Sequence, residues 1–466
     1  MTYLLFFAAY AALVLAAGLA FRRRMRDLAD FFLAGRTLSA GLIAMSLTAS
    51  WFGATSILVT TDEAFRSGLR ALWIVGAPAV LTVLVLAVFL VRPLHRFPVM
   101  TIPDLVELRY GRTVRHLASA LIVWYMIMLA ASQMVALGRF LGPFLGLPYL
   151  VCLALGTAVV LAYSTSGGLR AVVFTDVVQL VLLVAGIGGL IAFLGGRATL
   201  AGAGASAAAL GKDGFLSPFR DLGTSLLMTL SFTLAWTISP IALQRIQAAR
   251  GIRAARTGLF ATAAMLGGLY AGVVMAGVLA LPLFAADVPG GSLLPALIAG
   301  RTGPILGGLL FAAVLAAILS TMDTAVNTGA LTLVRDVIGQ LGGGAGDNRP
   351  VRTSRLATLA VGAAAFLVAS EFRSILQTIG LASEIMAEGL FIPGMAMIFM
   401  KRRAPLAGLL GLVLGAAFSV LSFLGSLHAL PFTLPAWPGS VPFGLAASAA
   451  GFVVGLIVER RRRPLA

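Results

Sequence analysis

Between Ala317 and Thr328 the chain sets Ser320, Thr321, Thr324 and Thr328 at helical spacing, with an acid, Asp323, and an amide, Asn327, among them. At 100° per residue, Ala317, Ser320, Thr321, Thr324 and Thr328 share about a third of a helix circumference, and Asn327 and Asp323 stand at its border. Such a face offers hydroxyl, carboxylate and carbonyl oxygens, the ligands a hard cation takes, and uncharged hydroxyls keep the grip reversible. The structural alternative is that each hydroxyl bonds back to its own helix or joins two helices. The surrounding run, FAAVLAAILSTMDTAVNTGALTLVRD at 311–336, is apolar enough to enter a bilayer. There an acid costs roughly 2.5–3.5 kcal/mol on insertion scales, so Asp323 is expected to face a partner or a wet cavity.

Two other stretches must position this face. In FFLAGRTLSAGLIAMSLTASWFGATSILVT, 31–60, the apolar run is interrupted by Thr48, Ala49, Ser50, Trp51, Phe52 and Gly53. A helix that unwinds halfway is predicted, because freed carbonyls at membrane depth are tolerated against a cavity or ion; a continuous helix with small packing residues is the alternative. In DLGTSLLMTLSFTLAWTISPIALQR, 221–245, Trp236, Thr237, Ser239 and Pro240 break the pattern, and proline removes a donor and clashes one turn back. Five spans separate the starts of the two interrupted helices, so the second enters from the opposite side. Paired interrupted helices in oppositely oriented halves point to a transporter with inverted repeats.

Other acids lie within apolar spans. Asp176 sits about a turn into the sixth span, where it either meets the site or reaches inner-side water. Glu384 and Glu388 are one turn apart on one face, and like charges at that spacing repel, so one is expected to be protonated, paired or near water, with solute or proton contact as the functional reading. The GGGAG run at 342–346 lacks a following Lys-Ser/Thr and a preceding strand, so it reads as a flexible cytoplasmic loop rather than a phosphate loop.

Composition agrees with a membrane setting. With 60% hydrophobic and 11% charged residues and a mean hydropathy of +1.01, a soluble globule is excluded. About thirteen spans are predicted: 3–20, 39–60, 71–91, 115–139, 148–163, 171–195, 221–242, 257–284, 303–334, 354–370, 374–400, 404–426 and 441–458. The net charge of +17 follows topology: 26 of the 34 Lys and Arg, including those in 92–115 and 245–256, fall in alternate loops. That asymmetry predicts a cytoplasmic C-terminus with the N-terminus outside and removes the case for nucleic acid; the expected location is the plasma membrane, a bacterial inner membrane. The first span has RRRMR after it and nothing basic before it, the reverse of a secretory signal, so it is expected to stay. Cys152 is the single cysteine, and His95, His116 and His428 are scattered, which leaves no disulfide or zinc constellation.

Three stretches in this order, the one at 31–57, SGGLRAVVFTDVVQ at 166–179 and LAAILSTMDTAVNTGALTLVRDV at 315–337, resemble the sodium:solute symporter family, as do QRIQAARGIRAARTG at 244–258 and PGMAMIFMKRRAPLAGLLGL at 393–412. The resemblance implies an all-α integral membrane protein with a LeuT-like inverted-repeat core of five plus five helices, one helix before it and two after. The whole chain, 1–466, is then one transport domain, with repeats at about 39–195 and 221–400 and extra helices at 3–20, 404–426 and 441–458. It also implies a sodium site from the carbonyls of Ala49, Phe52 and Ala317 with the hydroxyls of Ser320 and Thr321. Some members hold a second sodium, whose matching positions here are Asp176, Ser320, Asp323 and Thr324; Asp323 stands where those members place a hydroxyl, and Trp51 where some relatives carry an acid.

The function this implies is sodium-coupled import of a small organic solute by alternating access. From the fold, the solute is expected among Thr48, Ser50, Trp51 and Gly53, the fourth span near Trp124, Ser132 and Gln133, then Trp236, Thr237 and Ser239, and Ser383 with Glu384. The alternatives are a proton-coupled carrier using Asp323, Glu384 and Glu388, or a membrane solute sensor, although the tail ERRRRPLA offers no signalling domain. No nucleophile–base pair supports an enzyme. The expected partners are sodium, the solute and the lipid bilayer, with no obligatory protein partner.

Overall fold

The structure is a computed structural model that describes residues 2–21, 27–97, 99–284, 288, 291–339, 351–372, 374–426 and 434–461. The GGGAG run and His428 lie outside the described residues. The described chain is helical apart from turns and one short pairing of Leu38 with Ala249. Many outward positions carry large apolar side chains, such as Val181 (63% exposed) and Leu367 (66% exposed), as a lipid-facing surface requires.

Ten helices among the described residues are long and apolar enough to cross a membrane, or eleven with one bent pair counted as a span. The expected thirteen is not reproduced as a count, because two stretches run together across kinks: Thr55–His95 has 41 residues with a bend at Gly68, and Tyr149–Gly195 has 47 with one at Gly168. As one straight helix at 1.5 Å per residue the second would run about 70 Å, twice a hydrocarbon layer, so it holds two spans. It turns at Gly168, where φ is 52° and a Cβ would stand 2.6 Å from the Phe31 carbonyl, so glycine is needed there twice over.

The polar-faced helix, Pro304–Thr332, is the centre of the molecule, with every residue from Ala313 to Thr332 buried. A helix buried on all sides must satisfy its polar groups through its neighbours. Those neighbours are Arg112–Leu145, Tyr149–Gly195 and the first interrupted helix.

Both interrupted helices are present, with one correction. The first stays helical through Ala40–Trp51, so Thr48, Ala49, Ser50 and Trp51 are in the helix and the break is confined to Phe52 and Gly53 before the chain resumes as a π-turn at Thr55–Val59. The second breaks between Leu222–Thr237 and Pro240–Ala248, with a bend of 44°. Ser239 caps its second half by accepting from the Ala242 amide at 3.2 Å, and Pro240 occupies the first turn, where no amide donor is needed.

Two arginines counted as loop charges prove to be interior. Arg115 is 3% exposed and Arg245 is fully buried. Arg115 pairs with Asp104 at 2.9 Å, with Asp336 at 2.5 Å and with Glu107, and Arg335 reaches Asp104 at 2.8 Å. This cluster ties the short helix Ile102–Tyr110 to the end of the central helix.

Candidate functional site

The break at Phe52 lies directly against the polar face. Ser320 Oγ donates to the Ala49 carbonyl at 2.8 Å and lies 3.1 Å from the Ala317 carbonyl. Thr321 Oγ1 donates to Ala317 at 3.3 Å. A Cβ on Gly53 would stand 2.5 Å from Thr321 Oγ1 and 2.8 Å from Gln133 Oε1, so only glycine lets the broken segment approach this closely. The Ala54 amide donates to Gln133 Oε1 at 2.8 Å, and Gln133 Nε2 donates to Ser132 Oγ at 3.0 Å. Ser320 thus meets Ala49, and Thr321 meets Gly53 beside Phe52, across two elements, while the Ala317 carbonyl lies within hydrogen-bond distance of both hydroxyls. Neutral hydroxyl and carbonyl oxygens are what a hard monovalent ion takes. The hydroxyls also make the back-bonds of the structural alternative, so both readings describe the same atoms.

The positions matched to a second ion gather differently. Asp176 accepts from Ser46 Oγ at 2.5 Å and Ser50 Oγ at 3.2 Å, and faces the Arg245 guanidinium at 3.5 Å. Arg245 also donates to Thr324 Oγ1 at 3.0 Å, Ser50 Oγ at 3.1 Å, Ser46 Oγ at 3.2 Å and Gln244 Oε1 at 2.8 Å. Asp323 turns away and accepts from the Tyr163 hydroxyl. In this conformation a guanidinium already supplies positive charge to Asp176 and Thr324, so these residues do not fit a second cation unless Arg245 moves. Arg245, Ser46 and Tyr163 were not singled out in the sequence; the only signal was that Arg245 follows Pro240 within the second half of an interrupted helix.

A small cavity of about 50 Å³ adjoins the first cluster, its lining including Ser50, Trp51, Gln133, Trp236, Ser239 and Thr321. Trp51 and Trp236 meet edge to face at 6.0 Å between ring centroids. No charged side chain lines it among the described residues. Of the residues expected to meet a solute, Thr48 instead packs its hydroxyl against Met265 at 3.6 Å, Thr237 bonds back to Thr233 at 2.7 Å, and Trp124 and Ser383 are not in the lining. Glu384 also points elsewhere, accepting from Ser422 at 3.2 Å and from Ser440. Beyond the cavity, along the same helices, a vestibule of about 1290 Å³ is lined by Asp62, Glu63, Arg66, Arg139, Arg301 and Ser374.

Residues 31–415 match the family model described as the sodium:solute symporter family. The chain belongs to this family. It is similar to the sodium/glucose cotransporter of Vibrio parahaemolyticus, 26% identical over 94% of this chain and 86% of that protein. It is also similar to the high-affinity proline transporter PutP of Bacillus subtilis, 27% identical over 86% of this chain and 87% of that one. Among solved structures, the substrate-bound outward-open state of a Na+-coupled sialic acid symporter superposes with a TM-score of 0.82 at 19% identity, covering 98% of both chains, and this shows the shared LeuT-like fold. This member of the sodium:solute symporter family is therefore a multi-pass membrane transporter rather than an enzyme, a symporter of a small solute with sodium as its coupling ion.

Proposed function

We propose that this symporter binds one sodium ion between the first helix break and the polar-faced helix, through the carbonyls of Ala49, Phe52 and Ala317 and the hydroxyls of Ser320 and Thr321. The observation that carries this is the 2.8 Å approach of Ser320 Oγ to the Ala49 carbonyl across two elements. A small organic solute occupies the adjoining cavity, between the Trp51–Trp236 pair and Gln133. An uncharged, hydrogen-bonding lining favours a neutral or internally compensated solute, since a net charge there would find no side chain to balance it.

The chain works as one transport domain, with repeats at about 39–195 and 221–400 and the helices at 3–20, 404–426 and 441–458 outside them. In this reading the N-terminus lies outside and the C-terminus in the cytoplasm, with the protein in a bacterial inner membrane; the basic loops support the orientation. With that orientation the vestibule opens outward, while the Arg115 cluster closes the inner side. Sodium favours this form by binding at the break, and the solute then completes the closure that leads to inward release. Each ion moved inward gains about 2.3 kcal/mol per 100 mV, enough for roughly a fifty-fold solute gradient.

A thermal-shift screen of sugars, amino acids, carboxylates and vitamins on the purified protein tests the reading. One class should stabilise the protein in sodium and not in a sodium-free medium of equal ionic strength. Stabilisation that is independent of sodium and follows pH instead would contradict it and favour proton coupling.

A further inference from the structure

Glu384 and Glu388 do not face the solute cavity; they point into the seam between their own helix, 375–399, and the two last helices, Pro405–Ser426 and Val441–Arg461. Both are buried, at 2% and 0% exposure. The seam is shaped around Glu388. Without Cβ atoms, Gly415 abuts the Glu388 backbone carbonyl and Gly444 abuts its carboxyl, and a side chain at either place would collide. Glu388 rides on a π-turn, Met386–Leu390, a wide turn that recurs at functional positions in helices.

The polar inventory of the seam is one-sided. Glu384 accepts from Ser422 and Ser440. Ser440 lies near Glu388 as well, but its hydroxyl is spent on Glu384; neither Glu388 oxygen makes a hydrogen bond of normal geometry among the described residues, and the hydroxyls of Ser419 and Ser448 are likewise buried without one. Ser419 is one turn from Gly415 and three residues from Ser422, and Ser448 is one turn from Gly444, so both project toward the acids. No basic side chain forms an ion pair with either carboxyl among the described residues. Among the described residues, Glu384 is the only titratable group that acts on the Glu388 carboxyl, and no other acts on Glu384.

Two carboxylates one turn apart, desolvated and without a counter-charge, cannot both remain ionised. A cation must share the seam, and the close packing of Gly415 and Gly444 leaves space for the smallest. We propose that Glu384 and Glu388 form a proton-binding site outside the sodium and solute pathway, with Glu384 ionised by its two serine donors and Glu388 carrying the proton. The O–H that Glu388 then presents can donate to a seam hydroxyl such as Ser419 or Ser448, which satisfies groups left unpaired here.

Infrared difference spectroscopy of the full-length protein in lipid nanodiscs at neutral pH tests this. Glu388→Gln should remove the C=O stretch of one protonated carboxyl per chain, whereas Glu384→Gln should remove the stretches of one ionised carboxylate. Labelling the wild type with [13C]glutamate keeps the test open if a variant fails to fold: a protonated carboxyl band must shift with the label, while those of Asp176 and Asp323 cannot. Loss of only ionised carboxylate on Glu388→Gln, or no shifted protonated band in the labelled protein, overturns the site. A parallel 22Na+ binding measurement should give the same number of bound ions in Glu388→Gln and wild type; one fewer ion in the variant would assign the seam to sodium and overturn the proton.

Discussion

Arg245 and Asp176 face each other at 3.5 Å, both fully buried, in the middle of a membrane protein. The guanidinium comes from the second interrupted helix and the acid from the helix that follows Gly168. Their partners Ser46, Ser50 and Thr324 come from the first interrupted helix and the central helix. Four elements therefore share one charge pair and its hydroxyl partners.

Breaking a buried pair by removing one partner costs about 3–5 kcal/mol, because the other charge is left uncompensated. Arg245→Gln and Asp176→Asn should each lower the thermal stability of the purified protein. The double variant should be destabilised by clearly less than the sum of the two, measured by thermal unfolding in one detergent. Strictly additive losses would mean that the two side chains are not coupled.

Gly53 is the closest contact between the break and the central helix. Gly53→Ala should leave the protein in the membrane at normal yield but reduce sodium-driven uptake about 10²-fold, since displacing a binding group by about 1 Å can cost that much. Uptake within twofold of wild type would show that the segment has more room than the 2.5 Å approach to Thr321 implies.

The polar face was legible in the sequence because a 100° period survives whatever packs around it, and Ser320 and Thr321 lie against Ala49 and Gly53. The break itself was read too wide: Thr48, Ser50 and Trp51 look like loop residues, yet their side chains find Met265, Asp176 and Trp236, and tertiary contacts hold them helical. Arg245 falls among the loop charges because a one-dimensional count does not register depth, and four of the five oxygen partners that permit its burial, those of Ser46, Ser50, Asp176 and Thr324, come from segments distant in sequence. Glu384 was aimed at the wrong side for a related reason. When both faces of a helix are buried, periodicity shows which residues share a face but not which neighbour that face meets.

The most direct test of the account is equilibrium binding of 22Na+ to purified wild type and to the double variant Ser320→Ala, Thr321→Ala. The two hydroxyls are the side-chain oxygens of the proposed site, and removing them leaves three carbonyls. The account predicts saturable binding in the wild type that weakens at least tenfold in the variant, with the variant still folded by size-exclusion and thermal unfolding. Unchanged sodium affinity in the folded variant would contradict it and place the ion elsewhere.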